Sequence, residues 1–127
     1  MNTGEIRAIH QRVLRHFIWT PDQEQYQRHE HWTSHADAIE RDEVIRDDCD
    51  GFALTCAELA LRAGINEDDV RLATCYVETG EYHCVAIVKG QVMDNRQRRV
   101  MAWNALPYSW DKSMRLSEPG VWRGMES

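Results

Sequence analysis

DDCDGFALTCAELALRAG, residues 47–64, carries the reading of the fold. Phe52, Cys56, Leu59, Ala60 and Ala63 recur at i, i+4, i+7, i+8 and i+11, the stripe of a helix with one apolar face. Asp47 or Asp48 stands where an N-cap belongs, and Gly64 follows as a C-terminal stop. Cys49 therefore falls at the start of a helix. Downstream, residues 70–79 (VRLATCYVET) predict a strand, Gly80-Glu81 a turn, and residues 82–88 (YHCVAIV) a second strand. Lys89-Gly90 makes another turn, residues 91–94 a third strand, and residues 100–103 (VMAW) a fourth.

Upstream, Ile6, Ile9, Val13, Phe17 and Ile18 lie near helical spacing, which predicts a helix over 4–18 ending before Thr20-Pro21. Residues 21–35 are polar, with Tyr26 and Trp32 the large apolar groups, and read as a loop or short irregular helix. Ala36, Ile39, Val44 and Ile45 predict a short helix over 36–45. Residues 104–127, with Pro107, Pro119 and Gly120, read as a loop wrapped on the surface. Helices first and an antiparallel meander after them give an α+β fold. At 127 residues the chain is expected to form one domain over 1–127.

The net charge of −6 argues against a general nucleic-acid binder. The basic cluster Arg96, Arg98 and Arg99 reads as a solvated turn. No run approaches the roughly 18 apolar residues of a membrane span, so no membrane insertion is expected. No N-terminal stretch resembles a signal peptide, and the expectation is a protein made in the cytoplasm and retained there. The four cysteines (49, 56, 75, 84) form no CxxC pair, and in a reducing compartment Cys75 and Cys84 read as two buried free thiols.

Three residues suggest chemistry. Cys49 meets the partial positive charge of a helix N-terminus, which stabilises a thiolate, although Asp47, Asp48 and Asp50 oppose it. His83 shares a strand face with Val85 and Ile87, opposite Cys84, Ala86 and Val88. Asp94 lies one hairpin further on, where a carboxylate opposite His83 would accept the ring Nδ1–H. Each has a plain structural reading: Cys49 begins a buried face, His83 ends an apolar one, and Asp94-Asn95 is a turn signal. Together they make a nucleophile, a base and an orienting acid in order. The other histidines (10, 16, 29, 31, 35) fall on a polar helix face or in the polar loop, where His29, His31 and His35 suggest a metal cluster lacking further ligands at metal-site spacing.

The Asp48-Cys49-Asp50 core followed by Phe52-Ala53, then Gly64-Ile65, His83, Val85 and Met93-Asp94-Asn95, resembles the bacterial transglutaminase-like cysteine peptidases of the papain/transglutaminase superfamily. Trp32-Thr33 upstream, and Pro107-Tyr108-Ser109-Trp110 and Gly120-Val121-Trp122 downstream, extend the resemblance over roughly residues 6–122. It implies a papain/transglutaminase-like fold, with the nucleophile at a helix N-terminus packed on a small antiparallel sheet. It also implies a Cys49, His83, Asp94 triad cleaving an amide through a thioester. Some relatives carry two acids directly after the cysteine and bind calcium through nearby carboxylates. Here Gly51 replaces the second acid, which leaves Asp48 and Asp50 as the calcium candidates; no other cofactor is expected.

The implied substrate is a protein or a cell-wall peptide. Short members without a signal sequence resemble phage-encoded proteins, so a lysis enzyme of the endolysin type is an alternative, acting in the infected host or its envelope. A transglutaminase-type acyltransferase uses the same triad, and a catalytically silent binding module would keep the fold without the chemistry.

Overall fold

A computed structural model describes residues 3–20 and 34–125. The readings placed on residues 21–33, including Tyr26, His29, His31 and Trp32-Thr33, lie outside the described residues.

Helix α1 (Thr3–His16) buries Ile6, His10 and Val13 along one stripe. It stops two residues short of its predicted end because residues 17–19 become strand β1 (Phe17–Trp19). That aromatic and β-branched run pairs in parallel with β2 (Ile45–Asp47), setting Trp19 against Asp47. The element expected over 36–45 is likewise divided. Helix α2 (Ala36–Glu40) ends, the chain turns through Asp42 in the left-handed region, and Ile45 opens β2.

Helix α3 (Cys49–Arg62) is bounded as its sequence predicts. The Asp48 carboxylate caps the N-terminus by accepting from the N–H groups of Asp50 and Gly51. At the other end the Gly64 N–H donates to the Leu61 carbonyl and the Ile65 N–H to that of Ala60. Gly64 has φ +97° there, the left-handed closure for which glycine is suited. The small residues Ala53, Ala57 and Ala60 let α3 lie close on the sheet, while Phe52 fills the gap toward α1. A fully buried side chain of that size contributes about 1.5–3 kcal/mol.

The main sheet has six antiparallel strands, β3 (Val70–Tyr76), β4 (Tyr82–Val88), β5 (Gln91–Met93), β6 (Met101–Ala102), β7 (Ser109–Arg115) and β8 (Trp122–Gly124). Their order across the sheet is β6-β5-β4-β3-β7-β8. Cys84, Ala86 and Val88 face α3, and Val85 and Ile87 face the other way, as the strand period requires. That second face is covered over part of its length by Leu106, Tyr108 and Trp110. Cys75 and Cys84 are buried on opposite faces as free thiols.

Over residues 104–125 the chain is not the surface wrap that its sequence suggests. It supplies β7, which lies beside β3 within the sheet, and β8 outside it. The alternation that should have announced β7 is broken by a bulge. Cys75 pairs with Trp110 but Thr74 with Lys112, so Asp111 is an extra residue and the buried Trp110 and Ser113 stand three apart. No described helix is long and apolar enough to cross a membrane.

Candidate active site

Four first-turn N–H groups of a helix lack intrahelical partners. In α3 those of Asp50 and Gly51 go to the Asp48 carboxylate and that of Asp48 to Asp47 Oδ1, while the Phe52 N–H makes the first regular helix bond, to the Asp48 carbonyl. The N–H of Cys49 has no partner among the described residues. Asp47, just before the cap, turns inward. Its Oδ1 accepts from the Asp48 N–H at 2.7 Å and its Oδ2 lies 2.7 Å from His35 Nε2. Gly51 is pressed against it, since a Cβ at position 51 would fall 2.0 Å from Asp47 Oδ2.

The Cys49 thiol, partly open to solvent, points at Asp50 Oδ1, 3.7 Å away. Its pKa is pushed up to about 12, first by burial and then by the Asp50 charge, with Asp48 adding to it. The Cys84 N–H, directed at the sulfur, is the opposing influence. The lowering expected from the helix terminus is therefore reversed: burial and two carboxylates outweigh the backbone dipoles. Asp47 takes no part in this, because its carboxylate is turned toward His35.

His83, nearly closed to solvent, is on β4 beside the residue whose backbone meets that sulfur. Its Nε2–H donates to Asp94 Oδ1 at 2.7 Å. The bond expected at Nδ1 is made at Nε2, and the register explains why. Met93 is opposite Ala86, so Asp94 leaves β5 level with Val85, two residues from His83. That offset is about 7 Å along the strand, which only the far nitrogen of an extended ring spans. Nδ1 is left as an acceptor.

Asp94 is fully buried. Burial alone would raise its pKa, but hydrogen bonds from His83, Tyr108 and the Arg96 N–H hold it below the ordinary carboxylate value. The Tyr108 hydroxyl donates to Oδ2 at 2.5 Å and in turn accepts from Arg96 Nη1 at 2.9 Å and Gln97 Nε2 at 3.2 Å. From below, His10 Nε2–H donates to the Asp94 carbonyl at 2.8 Å. Its polar character placed His10 on the solvent face, yet it stands at i+4 from Ile6 and three before Val13 on the buried stripe, is fully buried, and has its pKa lowered by that burial. Sequence reasoning missed Tyr108, Arg96 and His10 as supports of this carboxylate. The aromatic in the Pro107-Tyr108-Ser109 run was the one available signal.

Tyr108→Phe should therefore leave a buried carboxylate oxygen without its donor, at a stability cost of about 1–3 kcal/mol in urea unfolding near neutral pH. Asp94 contributes stability above its unfolded pKa that fades as pH falls through its depressed folded value. Losing the hydroxyl raises that folded value, so the variant's deficit should shrink on acidification toward pH 3. A deficit that is constant with pH would contradict this.

Asp48 and Asp50 by themselves are too few ligands to complete a calcium site. Calcium takes six to eight oxygens. Asp48 Oδ1 is committed to two backbone N–H groups and Asp50 Oδ1 faces a thiol. Among the described residues no group of three His, Cys, Asp or Glu side chains is arranged to hold a metal.

The sequence pattern of the family described as bacterial transglutaminase-like cysteine proteinase BTLCP matches residues 1–127. No curated protein matches the chain in sequence. Among solved structures the chain is similar to EGTA-treated LapG of Legionella pneumophila, at 15% identity and a TM-score of 0.69, over 87% of this chain and 62% of that one. It is similar also to calcium-bound LapG of the same organism, at 15% identity and a TM-score of 0.66, over 98% of this chain and 77% of that one. The chain thus spans about three-fifths of the EGTA-treated LapG chain. At this identity the likeness is one of fold, helices followed by an antiparallel sheet.

Proposed function

The chain belongs to the bacterial transglutaminase-like cysteine proteinase family, and on that premise we propose that it is a cysteine peptidase acting on a protein substrate, with Cys49 as nucleophile, His83 as base and Asp94 as the group that orients the base. The observation that supports this most is the buried His83–Asp94 bond at 2.7 Å on the strand whose backbone faces the Cys49 sulfur.

At rest the thiol keeps its proton, because burial and Asp50 favour the neutral form. His83 Nδ1, free of the carboxylate, accepts that proton as the sulfur attacks the scissile carbonyl. Ionised Asp94 stabilises the imidazolium that forms. The developing oxyanion is met by the Cys49 N–H, the first-turn donor that the Asp48 cap does not use. The imidazolium then protonates the leaving amine, and water attacks the thioester with His83 again as base. LapG has been captured with calcium; no step here is routed through a metal.

Incubation with an unfolded protein, followed by mass spectrometry, tests the proposal. New amino termini that disappear after iodoacetamide treatment are expected, with the label on Cys49. Gln–Lys isopeptide cross-links without new termini would replace hydrolysis by acyl transfer.

A further inference from the structure

The sheet face away from α3 is covered at the His83 end by Tyr108 and Trp110 but is open at the other, leaving a groove of about 490 Å³. Ile87 and Trp103 line it, and Arg71, Arg115 and Lys89 converge on it. Arg71 and Arg115 are direct cross-strand partners. Directly opposed residues have Cβ atoms about 5 Å apart on one face, and like charges there are destabilising. None of these three cations has an acidic partner among the described residues, whereas Arg123 nearby is held by Glu118 at 3.1 Å. Lys89 also sits at φ +51°, in a two-residue turn whose left-handed positions favour Asn or Gly. A chain of net charge −6 thus places three cations, without a salt-bridge partner among the described residues, in a groove that also carries Ile87 and Trp103.

We propose that this groove is a docking site for a short acidic peptide segment, its carboxylates bridging Arg71 and Arg115 and reaching Lys89. A carboxylate between the two guanidinium groups turns their repulsion into paired charge-assisted hydrogen bonds. Asp68, Asp69 and Glu118 also line the groove and limit how much anion it accepts, which disfavours a long polyanion such as nucleic acid. The groove lies about 13 Å along β4 from His83, four residues at strand rise. Resting on the peptidase reading, the segment would belong to the protein substrate and be held away from the scissile bond; binding itself does not require that reading.

The test is fluorescence polarisation of a labelled hexaglutamate peptide on the whole protein. Hexaglutamate should bind, lose affinity with added salt, and weaken about tenfold or more with Arg71→Gln or Arg115→Gln and measurably with Lys89→Gln. Lys112→Gln, which removes the same charge outside the groove, should leave affinity unchanged. Arg71→Gln should also melt about 1–5 °C higher, because it relieves an opposed like-charge pair. The proposal is overturned if hexaglutamate does not bind, if Lys112→Gln weakens it as much as Arg71→Gln, or if Arg71→Gln lowers the melting temperature. It is overturned equally if hexaglutamine or a labelled DNA strand binds as tightly, or if inorganic phosphate displaces the peptide at equal concentration. Peptide binding without proteolysis would sink the peptidase and leave the groove. Proteolysis with no hexaglutamate binding would sink the groove alone.

Discussion

Cys49→Ala is expected to lower peptide cleavage by about 10⁶-fold, the scale seen when the nucleophile of a concerted triad is removed. His83→Ala should fall nearly as far, and the double variant little further, because neither group works without the other. The resting thiol makes the two variants separable by chemistry. With its pKa near 12, Cys49 alone carries almost no thiolate at neutral pH. Iodoacetamide should label Cys49 in the native protein near pH 7, because His83 accepts the proton as the sulfur attacks the reagent. In His83→Ala that labelling should slow at least tenfold and then climb steadily with pH across the alkaline range. Cys75, pushed up to about 12 chiefly by burial, and the buried Cys56 and Cys84 should stay unlabelled at pH 7 in both. Equal labelling rates in native protein and His83→Ala would remove His83 from the mechanism.

The second large effect is expected at a residue with no side chain. Gly51→Ala should destabilise the fold by about 2–4 kcal/mol, through overlap that no rotamer relieves. The new methyl would fall 2.0 Å from Asp47 Oδ2 and 2.7 Å from Asp47 Cβ, and the latter moves only if the backbone moves. Asp47 cannot swing aside cheaply, being bonded to His35 and to the Asp48 N–H. The strain falls on the junction of β2 and α3, which sets the height of Cys49. In an Asp47→Ala background the same substitution should cost less, with a coupling energy of about 1–3 kcal/mol in a double-mutant cycle. Additive costs would show that the contact is not the cause. The same packing leaves no room at position 51 for a carboxylate, which would occupy the space that Asp47 fills.

Helix α3 and the hairpin β3–β4 were legible because each obeys its own period with turn chemistry at its ends. Asp48, Gly64 and Gly90 all stand where backbone geometry needs them. β7 was not, because Asp111 shifts the alternation by one residue and leaves Lys112 paired with Thr74. β1 was hidden for a different reason, since Phe17 and Ile18 extend the apolar spacing of α1 and only pairing with β2 separates them from it. Near the candidate site the order of Cys49, His83 and Asp94 along the chain could be read. The choice of ring nitrogen could not, because it depends on a two-residue stagger between β4 and the end of β5. The burial of His10 was readable from its spacing between Ile6 and Val13, but its bond to the Asp94 carbonyl, a contact across 84 residues of sequence, was not.

The placement of β7 beside β3 also sets a timetable for biosynthesis. Residues 109–115 leave the ribosome about 1–4 s after Asp94, at about 5–20 residues per second. During that interval the nascent β3 displays a bare edge, and Asp94 lacks the phenol of Tyr108 that steadies it. On the proposed peptidase reading, the site is thereby kept unfinished until β7 docks, which would delay cutting until the scaffold around it is complete.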